Sequence, residues 1–79
     1  MQFPNEKELE ILRKKYPTGA VVRLISMIDE QAPPFGTIGE VQFVDDVGSV
    51  HVHWRNGSGL AVIPNVDIVE ILSTLGTDF

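Results

Sequence analysis

The sequence predicts a mainly β fold, a small five-stranded barrel preceded by one amphipathic α-helix. Three observations carry that prediction. Five short runs rich in β-branched and apolar residues lie between positions 20 and 72, separated by turn-forming residues. Two glycines, Gly36 and Gly39, sit beside and inside the second run, where a small barrel needs bends to close. One stretch alone, 5–15, spaces its apolar residues as a helix does.

The helix comes first. Asn5 is placed as the N-cap, with Glu8 three residues on where a capping-box acid belongs. Glu6, Glu8 and Glu10 lie towards the start, while Arg13, Lys14 and Lys15 lie at the end, an order that complements the helix dipole. Leu9, Leu12 and Tyr16, with Ile11 beside them, form one narrow apolar stripe, and Pro17 stops the helix. A helix this short is marginal alone in water, so docking on the strands must stabilise it.

The strands follow. The first, 20–27, puts Val22 and Leu24 on one face and Val21, Arg23 and Ile25 on the other, which the arginine marks as partly wet. The loop D-E-Q-A-P-P-F, 29–35, is long for a hairpin and stiffened by two prolines, which makes it a candidate functional surface. The second strand, 36–44, leads through the turn 45–48 to the third, 49–54, which alternates cleanly. Val50, Val52 and Trp54 take one face; His51 and His53 take the other. Asn56-Gly57 is the strongest hairpin signal in the chain. A fourth strand, 60–63, a turn at 64–67 and a fifth strand, 68–72, complete the set, and 73–79 reads as a loose tail.

The expected core is Val22, Leu24, Val41, Val44, Val50, Val52, Trp54, Leu60, Val62, Ile68 and Ile71, with Leu9 and Leu12 covering one side. Five short strands with one turn before the last match an SH3-like barrel best. The whole chain, 1–79, is then one domain: helix at about 5–15, barrel at about 19–72, tail at 73–79.

Composition bounds the function. A hydrophobic fraction of 43% and a charged fraction of 22% are those of a globular chain. At 79 residues there is room for one layer of core and none for a deep, walled active site as well. With no cysteine, disulfides and thiolate metal sites are excluded. The polar, acidic N-terminus is unlike a secretory signal, and no apolar run approaches the ~20 residues needed to span a bilayer, so a cytoplasmic setting is expected. A net charge of −5 weighs against nucleic acid, whose binders carry a basic footprint.

With these residues laid out, the chain resembles a family of small bacterial and bacteriophage domains of unknown function, SH3-like in character and often encoded on mobile elements. The matching elements are the helix ending in Tyr16-Pro17, G-x-x-V-x-L-I-S-M over 19–27 and A-P-P-x-G-T-x-G-x-V over 32–41. V-D-D-x-G over 44–48, W-x-N-G-S-G-L over 54–60, Ile63-Pro64 and Val66-Asp67 complete the pattern. Arg55 and Asn65 depart from it, standing where an acid and a glycine are usual. The resemblance implies a fold and a genomic setting and carries no catalytic or binding residues.

Three constellations bear on chemistry. His51 and His53 project from one strand face and could form half a metal site, but no third ligand accompanies them; two exposed histidines on a wet face is the preferred reading, with no metal and no cofactor. Asp45-Asp46 and Asp29-Glu30 are carboxylate pairs in turns, where aspartate caps local backbone. No nucleophile, base and orienting acid assemble, so no catalytic residues are assigned and no enzyme is expected. Trp54 shares the core face with Val50 and Val52, so a core tryptophan with its ring edge exposed is the preferred reading and an exposed aromatic shelf for an extended peptide the alternative. Phe35, Phe43 and Trp54, with Pro33 and Pro34, are the candidate binding residues, expected to rim a shallow apolar groove beside the proline loop. The expected function is a non-catalytic module that binds another protein. The alternative, a nucleic-acid-binding accessory barrel, needs Arg13, Lys14, Arg23 and Arg55 on one face. Self-association through an exposed strand edge is left open.

Overall fold

The structure is a computed structural model and describes residues 3–74. One helix, α1 (Glu6–Lys15), precedes four strands, β1 (Val21–Ser26), β2 (Ile38–Val44), β3 (Val50–Trp54) and β4 (Ile68–Ser73). The strands form one antiparallel sheet in the order β3-β2-β1-β4. The mainly β architecture is thus as expected. From Leu75 on, the expected tail lies outside the described residues.

The capping box at the start of α1 is complete. Asn5 Oδ1 accepts from the Glu8 N–H at 2.8 Å, and Glu8 Oε1 accepts from the Asn5 N–H at 3.1 Å. The helix buries no residue fully. It is held by Leu12, half-buried against the core, and by Arg13, which donates to the Val44 carbonyl from Nη2 at 3.0 Å.

Val22, Leu24, Val41, Val44, Val50, Val52, Trp54 and Val62 are buried, joined by Tyr16 and Ala20. Val21, expected on the partly wet face, is buried as well. Ile68 is not in the core. Its partner is Ser26, while Val69 and Ile71 pair with the core residues Leu24 and Val22, so alternation puts Val69 on the core face with the expected Ile71 and leaves Ile68 on the other.

The expected five-stranded barrel is corrected to an open four-stranded sheet. β3 and β4 end the strand order, and the segment 60–63 forms a single bridge, Val62 to Val50, rather than a strand. The cause is where the backbone groups go. In an antiparallel ladder Leu60, Val62 and Pro64 would all face β3. The Leu60 carbonyl instead accepts from the Trp54 indole N–H at 2.9 Å, and the Leu60 N–H donates to Ser58 Oγ at 3.2 Å. Pro64 has no N–H to give. Val62 alone remains, exchanging bonds of 2.8 and 2.7 Å with Val50.

Candidate functional site

Of the five candidate binding residues, two are out of reach of a partner. Trp54 is fully buried, its N–H satisfied by Leu60, and Pro33 is buried in the β1–β2 loop. Gly39 is what admits the indole. It pairs with Trp54 across β2 and β3, and a Cβ there would stand 2.4 Å from Val52 Cγ1 and 2.7 Å from Trp54 Cε3. Phe35 is 75% exposed beside an exposed Pro34, just ahead of β2. Phe43 sits near the far end of that strand, roughly 17 Å from its start by strand rise. Its ring stacks on His51 at 4.3 Å between centroids. The five residues therefore do not line one groove.

The β2–β3 turn is organised by Asp45. Its Oδ1 accepts from the Ser49 and Val47 N–H groups at 2.9 and 3.1 Å, and its Oδ2 lies 2.8 Å from His51 Nε2. Partial desolvation pushes the Asp45 carboxyl up. The bonds from His51, Ser49 and Val47, with the attraction of the ring, outweigh that and hold it below its ordinary value. His51 is thereby committed to a turn, and among the described residues no three potential ligands gather around a metal position. Asp29 caps its own loop, accepting from the Gln31 N–H at 2.7 Å.

The cations are dispersed. Arg13 pairs with Asp46 at 3.0 Å, Lys14 with Glu10 at 3.2 Å and Arg23 with Glu70 at 2.6 Å. Arg23 and Arg55 flank Ile38 on the open sheet face, where Arg55, Glu40 and His53 line a shallow depression of about 250 Å³. Arg13 and Lys14 belong to α1 and are not part of it.

A larger feature lies elsewhere. A groove of about 850 Å³ runs between α1, the β2–β3 turn and the 63–66 turn. Phe3, Ile11, Val47, Ile63 and Val66 line it, each 47–62% exposed. Its elements are fixed by local bonding. The capping box sets where α1 begins and so where Ile11 points. Asp45 shapes the turn that carries Val47. Asp67 Oδ2 accepts from the Ile63 N–H at 2.8 Å, and the Val66 N–H donates to the Ile63 carbonyl at 3.0 Å. Asn65 completes that turn with φ of +71°. Pro4 packs on Gly48, whose φ of +87° and whose missing side chain both matter: a Cβ would meet Pro4 Cγ at 2.9 Å.

Sequence reasoning missed this groove, though a signal for it exists. Val47, Ile63 and Val66 stand in or beside predicted turns, where an apolar side chain has no local role to play. Isolated exposed apolar residues need no explanation, but a contiguous set of them does.

No helix among the described residues is long and apolar enough to cross a membrane. Comparison with curated proteins and with solved structures found no match. A family match does cover residues 5–72, from the helix cap to the last strand, and by it the chain belongs to the family described as Domain of unknown function (DUF4314).

Proposed function

We propose that the chain is a non-catalytic module that takes an apolar segment of a partner protein into the groove beside α1. One observation carries this reading. Nine large apolar side chains are exposed among the described residues, and five of them converge on that single groove. Such convergence is the mark of an interaction surface rather than of incidental exposure. The non-catalytic part is supported by where the carboxylates are spent: Asp45, Asp29 and Asp67 each cap a backbone turn.

The same proposal reads the sheet as an open form of the SH3-like arrangement. It is supported by the last strand, which returns to pair with the first, and by the segment at Val62 flanking β3. The phage or mobile-element setting rests on the motif resemblance. The nucleic-acid alternative is the weaker reading, because Arg13, Lys14 and Arg23 are each paired with a carboxylate.

The test is selection of binding peptides from a random displayed library against the intact chain. Affinities are then measured for the wild type and for Ile11→Glu, Val66→Glu and Phe35→Ala. The two groove substitutions are expected to weaken the selected peptides about tenfold or more, as loss of a central apolar anchor does, and Phe35→Ala to leave them unchanged. Peptides that ignore both groove substitutions and are lost in Phe35→Ala would move the site to the proline loop.

A further inference from the structure

We infer that the occupant of the groove is a basic amphipathic segment, with one apolar stripe flanked by lysine or arginine; this rests on the groove being the binding surface. The charges on the elements that wall the groove decide it. On α1, Glu10 is paired with Lys14, and Arg13 is paired with Asp46 of the β2–β3 turn. Asp45 in that turn is held by His51. Among the described residues, Glu6, Glu8 and Asp67 have no cation partner, and Lys7 and Lys15 have no carboxylate partner, Lys15 lying over the Tyr16 ring at 5.3 Å. Of these only Glu8 lines the groove, so the one charged side chain among its lining residues is a carboxylate, set beside an apolar floor. The helix N-terminus does not reverse this sign, because its cap already takes up the Glu8 N–H and adds the Glu8 carboxylate.

The same charges discriminate between occupants. A second copy of the chain would bring a net −5 against a net −5 across a shared groove. An anionic membrane surface would be repelled likewise. A segment with lysine or arginine beside its apolar stripe gains on both counts: its side chains fill the groove and its cations meet Glu8 at the rim, with Asp67 in the adjoining turn. Charge at a rim acts mainly on selectivity and association rate, so the apolar contacts supply affinity and the carboxylates choose the partner.

The experiment uses the intact chain and three synthetic peptides of one length and one apolar pattern, built from leucine with lysine, glutamine or glutamate. Binding is followed by NMR shift mapping and titration at low and at physiological salt. The leucine–lysine peptide is expected to bind tightest, to perturb Ile11, Val47, Ile63 and Val66, and to weaken several-fold as salt screens the rim. The double variant Glu8→Gln, Asp67→Asn keeps the acceptor that each turn needs and removes only charge. It should cost the lysine peptide several-fold and leave the glutamine peptide unchanged. If the glutamine peptide binds the groove as well as the lysine peptide, the groove stands and the basic partner is overturned. If no peptide perturbs the groove, both fall. If the chain alone dimerises and Ile11→Ser relieves it, the occupant is a second copy.

Discussion

The end of β3 and the groove beside α1 are both apolar, and they are finished in opposite ways. At the end of β3 every group is accounted for. Trp54 is sealed, its N–H is bonded to Leu60, and Gly39 leaves the space the indole needs. In the groove the backbone is equally well tied, by Asp45, Asp67 and the Asn5–Glu8 box, but the side chains it presents are left half open. The residues differ less in type than in position. Core apolar residues occupy alternate places on strands, where burial follows from the pleat. Groove residues occupy turns and the outer side of a helix, where folding does not require them. An apolar residue held firmly in a place the fold does not need is better explained by what it touches in a partner.

That contrast can be broken by substitution, and the expected effects descend in size. Trp54→Ala should be the costliest, at about 3–5 kcal/mol, because it opens a cavity and orphans the Leu60 carbonyl. Gly39→Ala should follow at about 1–3 kcal/mol, since its methyl has no space against Val52 and the indole. Denaturant titrations followed by far-UV circular dichroism measure both. A cost below about 0.5 kcal/mol at Gly39 would mean that β2 and the indole are not in contact as described.

Acid sensitivity comes next. The folded Asp45 carboxyl lies below its ordinary value of 3.8, so its contribution to stability is present above that pH and is lost as pH falls through the folded value. Asp45→Asn keeps an acceptor for the Ser49 and Val47 N–H groups and removes the titration. Its stability should fall less steeply than the wild type's below pH 3.8. Parallel acid limbs for the two proteins would contradict this role for Asp45. The smallest stability effects belong to the groove. Ile11→Glu and Val66→Glu should each shift unfolding by no more than about 0.5 kcal/mol, while weakening peptide capture about tenfold or more.

Much of the fold was legible. Capping and charge order placed α1, alternation placed the core face of β3, and Asn-Gly marked the turn after Trp54. Alternation also placed Trp54 on the core side. It could not tell that the ring would seal completely, because that depends on Gly39 lying opposite across the sheet. The expected fourth strand failed for a related reason. Leu60 has strand-like neighbours, yet its two backbone groups are claimed by Ser58 and by the indole. Competition of this kind is invisible to a local pattern. Ile68 and Ile71 stand three apart and cannot share a strand face; the pairing of Val69 and Ile71 with Leu24 and Val22 decides for Ile71. The apolar residues at turns, Val47, Ile63 and Val66, hint at a surface, but their convergence with positions 3 and 11 into one groove was illegible, because no spacing rule relates them.

The most direct test of the division between a sealed core and an open groove is amide and methyl shift mapping of a library-selected peptide on the intact chain. Perturbations centred on Ile11, Val47, Ile63 and Val66 are expected, with the Trp54 indole N–H and Phe35 unmoved. Perturbations centred on Pro34 and Phe35, with the groove silent, would contradict it.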